Sequence, residues 1–193
     1  MTPEPVTLEG RLVRLEPLTM AHADALAEVA FDPDLWRWTL NVIATKDELR
    51  AYLATALEEQ AAGTSVPFVV IEKATGKAIG STRYGNIERR HRRLEIGWTW
   101  YGTAYQRTGV NTECKLLLLT HAFETLGAVR VELKTSALTA PSRAAIRRLG
   151  AREEGILRKH AIANNGVPRD TVYYSIIDDE WPAVKAGLAA RLR

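Results

Sequence analysis

The sequence predicts a mixed α/β (α+β) protein whose central sheet is largely antiparallel. Short apolar runs of strand length alternate with longer segments of helical periodicity. Three strand-like runs follow one another between residues 67 and 100 with no helix between them. The segment Asn164-Asn165-Gly166 between two apolar runs is typical of a β-hairpin. Because strands joined by short turns pair antiparallel, most of the sheet is expected to be antiparallel.

The first predicted elements are a strand and two helices. The strand covers Arg11 to Glu16, and the first helix covers His22 to Ala30. The second helix begins at Thr45, because Thr45 and Glu48 have the spacing of a capping box, in which a hydroxyl and a carboxylate each bind a free backbone N–H. This helix is expected to end at Gly63.

A three-stranded meander and a long helix follow. The strands cover Pro67 to Ile71, Ala78 to Tyr84 and Leu94 to Trp100. The helix covers Asn111 to Leu126, because its large apolar residues recur at helical spacing, and Gly127 is expected to form its C-cap.

The last third of the chain adds a strand, a helix, a hairpin and a final helix. The strand covers Val129 to Thr135, and Thr139 is expected to cap the helix that follows. The hairpin strands cover Gly155 to Ile162 and Thr171 to Ile177, and the last helix begins near Asp179. The predicted order is therefore β-α-α-β-β-β-α-β-α-β-β-α.

Composition limits the classes of function. A chain of 193 residues, of which 46% are hydrophobic and 25% charged, is expected to form one domain over residues 1–193. Its one cysteine, Cys114, excludes an internal disulfide and is typical of a reducing compartment. The apolar runs are too short to cross a membrane. We therefore expect a cytoplasmic protein that does not bind membranes.

The charged residues do not indicate nucleic-acid or metal binding. The formal net charge is only +3. The densest basic cluster, Arg89 to Arg93, is interpreted as a solvated loop between two strands, with a patch for a phosphate or an acidic partner as the alternative. The histidines lack the spacing of metal ligands: His22, His91, His121 and His160.

The stretch "YQRTGVNTE", residues 105–113, lies where a predicted strand meets the long helix. The first turn of a helix has unpaired backbone N–H groups and a partial positive charge. Gly109 is expected to remove a Cβ from the path, and no acidic residue precedes Glu113. The loop is therefore a candidate diphosphate site, with a polar surface turn as the alternative. Further donors come from five side chains: Gln106, Arg107, Thr108, Asn111 and Thr112.

The order of four motifs resembles the GNAT superfamily of acyl-CoA-dependent N-acyltransferases, and within it the ribosomal-protein-alanine N-acetyltransferases (RimJ/RimL-like). The motifs are "GWTW" from Gly97, "NTECKLLLL" from Asn111, "SRAAIRRLGA" from Ser142 and "RDTVYYSI" from Arg169. The resemblance extends from Gly10 to the C-terminal helix. It implies a GNAT-like sheet flanked by helices, in which two central strands splay apart.

The resemblance also implies acetyl-CoA as the co-substrate. Its pyrophosphate would bind the loop from Gln106 to Asn111, and the exposed backbone of the splayed strand would pair with the pantetheine arm. The residues implied in cofactor binding are Trp98, Thr99, Trp100, Gln106, Arg107, Thr108, Gly109, Val110, Asn111, Thr112, Thr139 and Ser142.

Three positions depart from the family pattern. Asn111 stands where the family loop usually ends in Gly or Ala, and Thr139 stands where Asn is common. Thr139 is expected to cap its helix but to bond the cofactor less well. Ile146 replaces the tyrosine that serves as the thiol acid in many family members.

Amide formation needs an acceptor for the amine proton and a partner for the leaving thiolate. Ser142 is the candidate for bonding the thioester sulfur, as the resemblance implies, and a purely structural place in the first helical turn is the alternative. Glu95 is the candidate base. Cys114 lies in the apolar helix and is interpreted as a packing residue, not a nucleophile.

Other groups remain candidates for the base and for the acceptor site. Glu132 and Lys134 share a strand face, so a simple pair between them is one interpretation. Asp170 is another possible base, and a structural salt bridge is the alternative for every carboxylate. Tyr173 and Tyr174 point to opposite sides of their strand, so one of them is expected to line the acceptor site.

The leading hypothesis is transfer of an acetyl group from acetyl-CoA to a primary amine, in particular a protein N-terminal α-amine. One alternative is an acyltransferase for a small molecule such as an antibiotic, a polyamine or an aminoacyl nucleotide. The other is a CoA-binding sensor without turnover. The sequence leaves open the acyl group, with succinyl as an alternative, and a possible homodimer. Aromatic residues available to stack on a planar acceptor are Trp36, Trp38, Trp98 and Trp100.

Overall fold

The computed structural model of the protein describes residues 1–37 and 39–192. These residues contain eight strands: β1 (Leu8–Glu9), β2 (Val13–Pro17), β3 (Val66–Glu72), β4 (Ala78–Glu88), β5 (Arg93–Tyr101), β6 (Arg130–Ser136), β7 (Arg152–Ile162) and β8 (Pro168–Ile177). They form one mixed sheet in the order β1-β2-β3-β4-β5-β6-β8-β7. All neighbouring strands pair antiparallel except β5 and β6, which pair parallel.

Helices cover both faces of the sheet, and the alternation of strand side chains supplies two cores. The helices are α1 (Ala23–Ala30), α2 (Pro33–Trp36), α3 (Lys46–Ala61), α4 (Val110–Thr120), α5 (Ala140–Arg148) and α6 (Trp181–Ala190). Phe68 and Val70 of β3 face α4 and α6, whereas Val69 and Ile71 face α1, α2 and α3.

Most of the predicted elements are present. The capping box at the start of α3 is confirmed, since Glu48 N donates to Thr45 Oγ1 at 3.2 Å and Thr45 N donates to Glu48 Oε2 at 3.0 Å. The strand β1 and the helix α2 were not predicted, because elements of two and four residues carry no periodicity. The long helix is α4 followed by one π-helical turn, His121–Thr125.

The start of α4 is fixed by a buried carboxylate. Glu113 accepts hydrogen bonds from three consecutive backbone N–H groups, those of Arg11 at 3.0 Å, Leu12 at 2.6 Å and Val13 at 2.8 Å. Gly10 makes room for this carboxylate, because a Cβ there would lie 2.5 Å from Glu113 Oε2. The turn before β2 therefore holds the helix whose N-terminal loop is the candidate diphosphate site.

No helix in the described part of the chain is long and apolar enough to cross a membrane. In those same residues, no cluster of three or more His, Cys, Asp or Glu side chains is arranged to hold a metal ion.

Candidate active site

A fork opens in the middle of the sheet between β5 and β6. The two strands pair only where Arg93, Leu94 and Glu95 face residues 130–132. Beyond that point β5 stays paired with β4, and β6 stays paired with β8. The side of β5 that faces β6 therefore has no strand partner from Ile96 onward, which confirms the splay that the resemblance implied.

A β-bulge at Trp98 marks the open part of β5. Ser81 pairs with Trp100 and Arg83 pairs with Gly97, so β5 has one residue more than β4 between these pairs. Trp98 takes the left-handed conformation, with φ of 50°. Gly85 on β4 accommodates its ring, because a Cβ there would lie 2.3 Å from Trp98 Cζ3.

The loop before α4 presents unpaired backbone donors. Thr108 Oγ1 donates to Tyr105 O at 2.7 Å and accepts from Val110 N at 3.3 Å, which closes the loop into the first helical turn. Such a group of N–H donors at a helix N-terminus attracts an anion. The backbone N–H groups that have no hydrogen-bond partner within the described chain are those of Arg107, Thr108, Gly109, Asn111 and Thr112.

The position of Gly109 requires a glycine for a different reason from the predicted one. Its backbone is right-handed, with φ of −68°, and a Cβ would lie 2.9 Å from Leu12 Cδ1. The missing Cβ therefore permits close packing against Leu12, in the turn before β2, and does not clear the open side of the loop. Arg107, with φ of 59°, makes the left-handed turn instead. The Oδ1 atom of Asn111 accepts from the Tyr101 hydroxyl at 3.3 Å, which leaves its Nδ2 group as the available donor.

The opposite wall of the fork ends at α5, where Thr139 and Ser142 lie. Thr139 is the N-cap residue of α5, as predicted, but its side chain makes no capping hydrogen bond. Thr139 Oγ1 is buried and has no partner among the described residues. A buried hydroxyl without a partner is costly and fits a polar ligand atom at this point. Ser142, half-buried in the first turn, also has a hydroxyl without a hydrogen bond in the described chain.

Glu95 lies at the point where the fork begins. Leu94 and Ile96 belong to the core under α4, so Glu95 points to the opposite face. It is 3% exposed, and Asn86 Nδ2 at 2.6 Å and Lys134 Nζ at 2.8 Å both contact its Oε2. Oε1 makes no hydrogen bond within the described residues.

Gly97 and the charged neighbours on β6 complete the surroundings of this carboxylate. A Cβ on Gly97 would lie 2.7 Å from Glu95 Oε1, so Gly97 gives that oxygen its space. A pair between Glu132 and Lys134 is not found. Lys134 pairs with Glu95, whereas Glu132 pairs with Arg130 at 2.9 Å and with Arg93 at 3.4 Å.

Aromatic and cationic side chains surround Glu95 on the same face. The Trp98 ring has the Arg83 guanidinium 5.0 Å from its centroid and the Lys134 ammonium 5.9 Å away. Arg83 pairs with Glu59 of α3 at 2.9 Å, which places this group on the face covered by α1, α2 and α3. Tyr173 joins the group, since its ring centroid lies 5.8 Å from Lys134 Nζ.

Several other candidates have structural roles. Tyr174 is fully buried, and its hydroxyl donates to Glu153 Oε2 at 3.0 Å, so Tyr173 is the tyrosine on the candidate acceptor face. Asp170 accepts from Lys159 N at 2.7 Å within the β7–β8 hairpin. Trp36 and Trp100 pack together in the core, with ring centroids 5.4 Å apart. Trp38 lies outside the described residues.

Cys114 is a packing residue. Its side chain is fully buried, and burial raises the pKa of its thiol to about 12. A thiol with this pKa is not a thiolate nucleophile at neutral pH. Its burial and its high pKa therefore support a packing role for Cys114 and argue against a part in acyl transfer.

Sequence reasoning missed Lys115, the next residue of α4. It is 5% exposed, and its Nζ donates to Thr99 Oγ1 at 2.8 Å. Thr99 Oγ1 in turn shares a hydrogen bond of 2.7 Å with Thr82 Oγ1, so a buried ammonium stands beside the bulge. The only signal in the sequence is a charged residue inside the apolar run "CKLLLL".

Comparisons with known proteins agree with this geometry. A family model described as an acetyltransferase (GNAT) domain matches residues 12–152. YdaF of Bacillus subtilis (strain 168), named as a candidate ribosomal N-acetyltransferase, is 34% identical over 110 residues, which make up 57% of this chain and 59% of that relative.

Two solved structures cover nearly the whole chain. A GCN5-related N-acetyltransferase from Brucella melitensis is 34% identical with a TM-score of 0.93, and the match covers 100% of this chain and 88% of that one. Mycobacterium smegmatis RimJ, solved in complex with CoA-disulfide, is 25% identical with a TM-score of 0.84, and the match covers 98% of this chain and 96% of RimJ. The forked sheet therefore has a known counterpart, and this chain belongs to the GNAT family as an acyl-CoA-dependent acetyltransferase.

Proposed function

We propose that the protein transfers an acetyl group from acetyl-CoA to a protein N-terminal α-amine, by direct attack of the amine in a ternary complex. The observation that carries this proposal is the fork between β5 and β6, with unpaired donors on one side and the Glu95 carboxylate on the other. Because the fork passes through the sheet, donor and acceptor are able to approach one carbonyl carbon from opposite faces.

The donor side is assigned to the face of α4 and α5. The N–H groups of residues 107–109, 111 and 112 would bind the diphosphate at the start of α4. The unpaired edge of β5 at Trp98, Thr99 and Trp100 would bind the pantetheine arm as an added strand does. The orphaned hydroxyl of Thr139 fits a polar atom of the same arm. Together these features support a CoA thioester as the ligand on this side of the fork, with no additional cofactor.

Glu95 is proposed as the general base. Its Oε2 is fixed by Lys134 and Asn86, and its Oε1 has no hydrogen bond within the described residues, so Oε1 is free to accept a proton from the attacking amine. A fixed carboxylate with one free oxygen is well suited to general base catalysis. The half-buried Ser142 hydroxyl is proposed to hydrogen-bond the leaving sulfur.

The basicity of the acceptor favours an α-amine. The α-amino group has a pKa near 7.7 and the lysine side chain one near 10.4, so making lysine neutral at pH 7 costs about 3.7 kcal/mol more. Glu95 already has a cationic partner in Lys134, and the neighbouring carboxylate of Glu132 on β6 is paired with Arg130 and Arg93. The name of YdaF, a candidate ribosomal N-acetyltransferase, is consistent with an amine of a ribosomal protein as the acceptor.

Release of free CoA from acetyl-CoA in the presence of peptides would test the proposal. We expect turnover with peptides that have a free N-terminal amine, and much slower turnover with the same peptides when the N-terminus is blocked and a lysine is present. Mass spectrometry of the product should place the acetyl group on the α-amine. Tight acetyl-CoA binding with no turnover on any α-amine would contradict the proposal.

A small-molecule acceptor is the second candidate, because one observation favours it. The Trp98 ring on the acceptor face is flanked by the cationic groups of Arg83 and Lys134, an arrangement that suits a planar or anionic acceptor. Turnover with a panel of aromatic amines, amino acids and polyamines, at rates above those of all peptides, would favour this candidate.

A further inference from the structure

Lys115 is buried at the boundary between α4 and the open part of β5. Its Nζ donates to Thr99 Oγ1, and Thr99 follows directly after the Trp98 bulge. Lys115 lies five positions after the first residue of α4, which is about 7.5 Å along a helix axis. Its ammonium is therefore displaced from the loop donors toward the part of the fork that would hold the pantetheine arm and the thioester.

The charge of Lys115 has no carboxylate partner at contact distance. Within the described residues no carboxylate lies within 4.0 Å of its Nζ, whereas Lys134 on the other face contacts Glu95 at 2.8 Å. The charged group of the sheet that favours the ammonium form of Lys115 is Glu95, which lies beyond contact distance. Glu113, two residues earlier on α4, is occupied by backbone N–H groups of residues 11–13.

An ammonium has three donors, and Thr99 accepts only one of them. Burial lowers the pKa of Lys115 to about 8, which shows how poorly its surroundings solvate the charge. Thr99 and Thr82 already bond each other, so they do not depend on the lysine for a partner. The Lys115 ammonium therefore has buried N–H donors that the fold itself does not use.

We propose that Lys115 binds the acyl donor directly, by donating a hydrogen bond from its ammonium to a carbonyl oxygen of the acyl-CoA arm. The inference rests on the proposed function, because it assumes that the arm lies along β5. Two kinds of carbonyl share this chemistry, the two amides of the pantetheine and the thioester. Either would supply an acceptor that the described chain lacks.

Calorimetry on the full-length Lys115→Met variant tests the proposal, with Lys185→Met as the control, because Lys185 is a partly exposed lysine of α6 that is paired with Glu124 and does not face β5. Loss of one charge-assisted hydrogen bond should weaken acetyl-CoA binding about tenfold or more. If Lys115 contacts a pantetheine amide, the variant should bind CoA and acetyl-CoA more weakly by the same factor. If it contacts the thioester, only the binding of acetyl-CoA should be weakened. Lys185→Met should bind both as the wild type does.

The thermal midpoint separates binding from a purely structural role. Because methionine fills the space of lysine without its buried charge, the ligand-free Lys115→Met variant should unfold at the same temperature as the wild type or higher. Unchanged affinity of this variant for both ligands would overturn the inference. So would a lowered midpoint with unchanged affinity, since Lys115 would then only support the bulge.

A crystal structure of the wild-type complex with acetyl-CoA gives an answer that does not depend on the variant folding. Lys115 Nζ should lie within hydrogen-bonding distance of a carbonyl oxygen of the arm, and a separation beyond about 4 Å would overturn the inference. If the wild type binds no acyl-CoA at all, the proposed function itself has failed. If it binds and Lys115→Met binds equally, only the role of Lys115 has failed.

Discussion

Glu113 and Glu95 are both almost completely buried, at 5% and 3% exposure, yet their surroundings differ. Glu113 accepts from three backbone N–H groups at the turn before β2. Glu95 contacts only side chains, Lys134 and Asn86, and both contacts are to one oxygen. Each carboxylate also depends on a glycine that leaves it space: Gly10 for Glu113 and Gly97 for Glu95.

The difference shows which surroundings give a buried carboxylate a role in stability and which give it a role in catalysis. Backbone donors are fixed by the fold, so the oxygens of Glu113 are fully used and the residue holds α4 against β2. Side-chain donors on one oxygen leave the other oxygen of Glu95 free at an open fork. Variants at the two carboxylates and their two glycines should therefore lose stability at one site and activity at the other.

Glu113→Gln should have the largest effect. An amide offers only one acceptor oxygen and places an NH₂ group against backbone donors, so buried N–H groups are left without partners. We expect a loss of about 2–5 kcal/mol in the free energy of unfolding, measured by urea denaturation, since each buried N–H group left unpaired costs about 1–3 kcal/mol. Glu4→Gln at an exposed position is the control and should leave the midpoint unchanged. A loss below about 1 kcal/mol would mean that the three hydrogen bonds contribute little.

Glu95→Gln should reduce the rate, with a smaller effect on stability. The amide keeps the shape of the side chain but cannot accept the amine proton, so kcat should fall about 100-fold or more, or about 2.7 kcal/mol in activation free energy. Steady-state kinetics with an α-amine peptide, together with the acetyl-CoA affinity, measures the effect. A rate within about threefold of the wild type would remove Glu95 as the base.

Gly10→Ala should destabilise the protein while the rate per folded molecule stays the same. The added Cβ would meet Glu113 Oε2 at 2.5 Å, so the carboxylate or the turn must shift. Overpacking of this kind costs about 1–3 kcal/mol. The urea midpoint measures the loss, and a stable variant with lowered kcat would contradict the assignment of this site to stability.

Gly97→Ala should have the smallest effect of the four variants, and this effect should be on kcat. The added Cβ would meet Glu95 Oε1 at 2.7 Å and displace the oxygen proposed to accept the proton. A displaced base should lower kcat about tenfold. The same fall in the Glu95→Gln background would show that Gly97 acts by another route, which a double-mutant cycle detects.

Local patterns made most of the fold predictable from sequence. The capping box of Thr45 and Glu48, the hairpin turn at 164–166 and the apolar run of β3 each depend on neighbours within a few residues. Thr139 shows the limit of such patterns. Its residue type and position suit an N-cap, but in the folded chain its hydroxyl makes no capping hydrogen bond.

The site was less predictable, because its contacts join distant parts of the chain. Lys134 could pair with Glu132 two residues away, but pairs with Glu95 of the neighbouring strand. Lys115 has the sequence context of a helix-surface lysine, and only the packing of α4 on β5 buries it. The loop before α4 was found because its N–H donors follow from the helix start itself.

The hydrogen bond from Val13 to Glu113 spans 100 positions of the chain. Closing a loop of that length has a high entropic cost, so such a contact forms only after more local structure exists. The diphosphate loop is positioned by the same helix turn that Glu113 anchors. During synthesis, the chain should therefore become able to bind the nucleotide end of the donor only after both Val13 and Glu113 have left the ribosome.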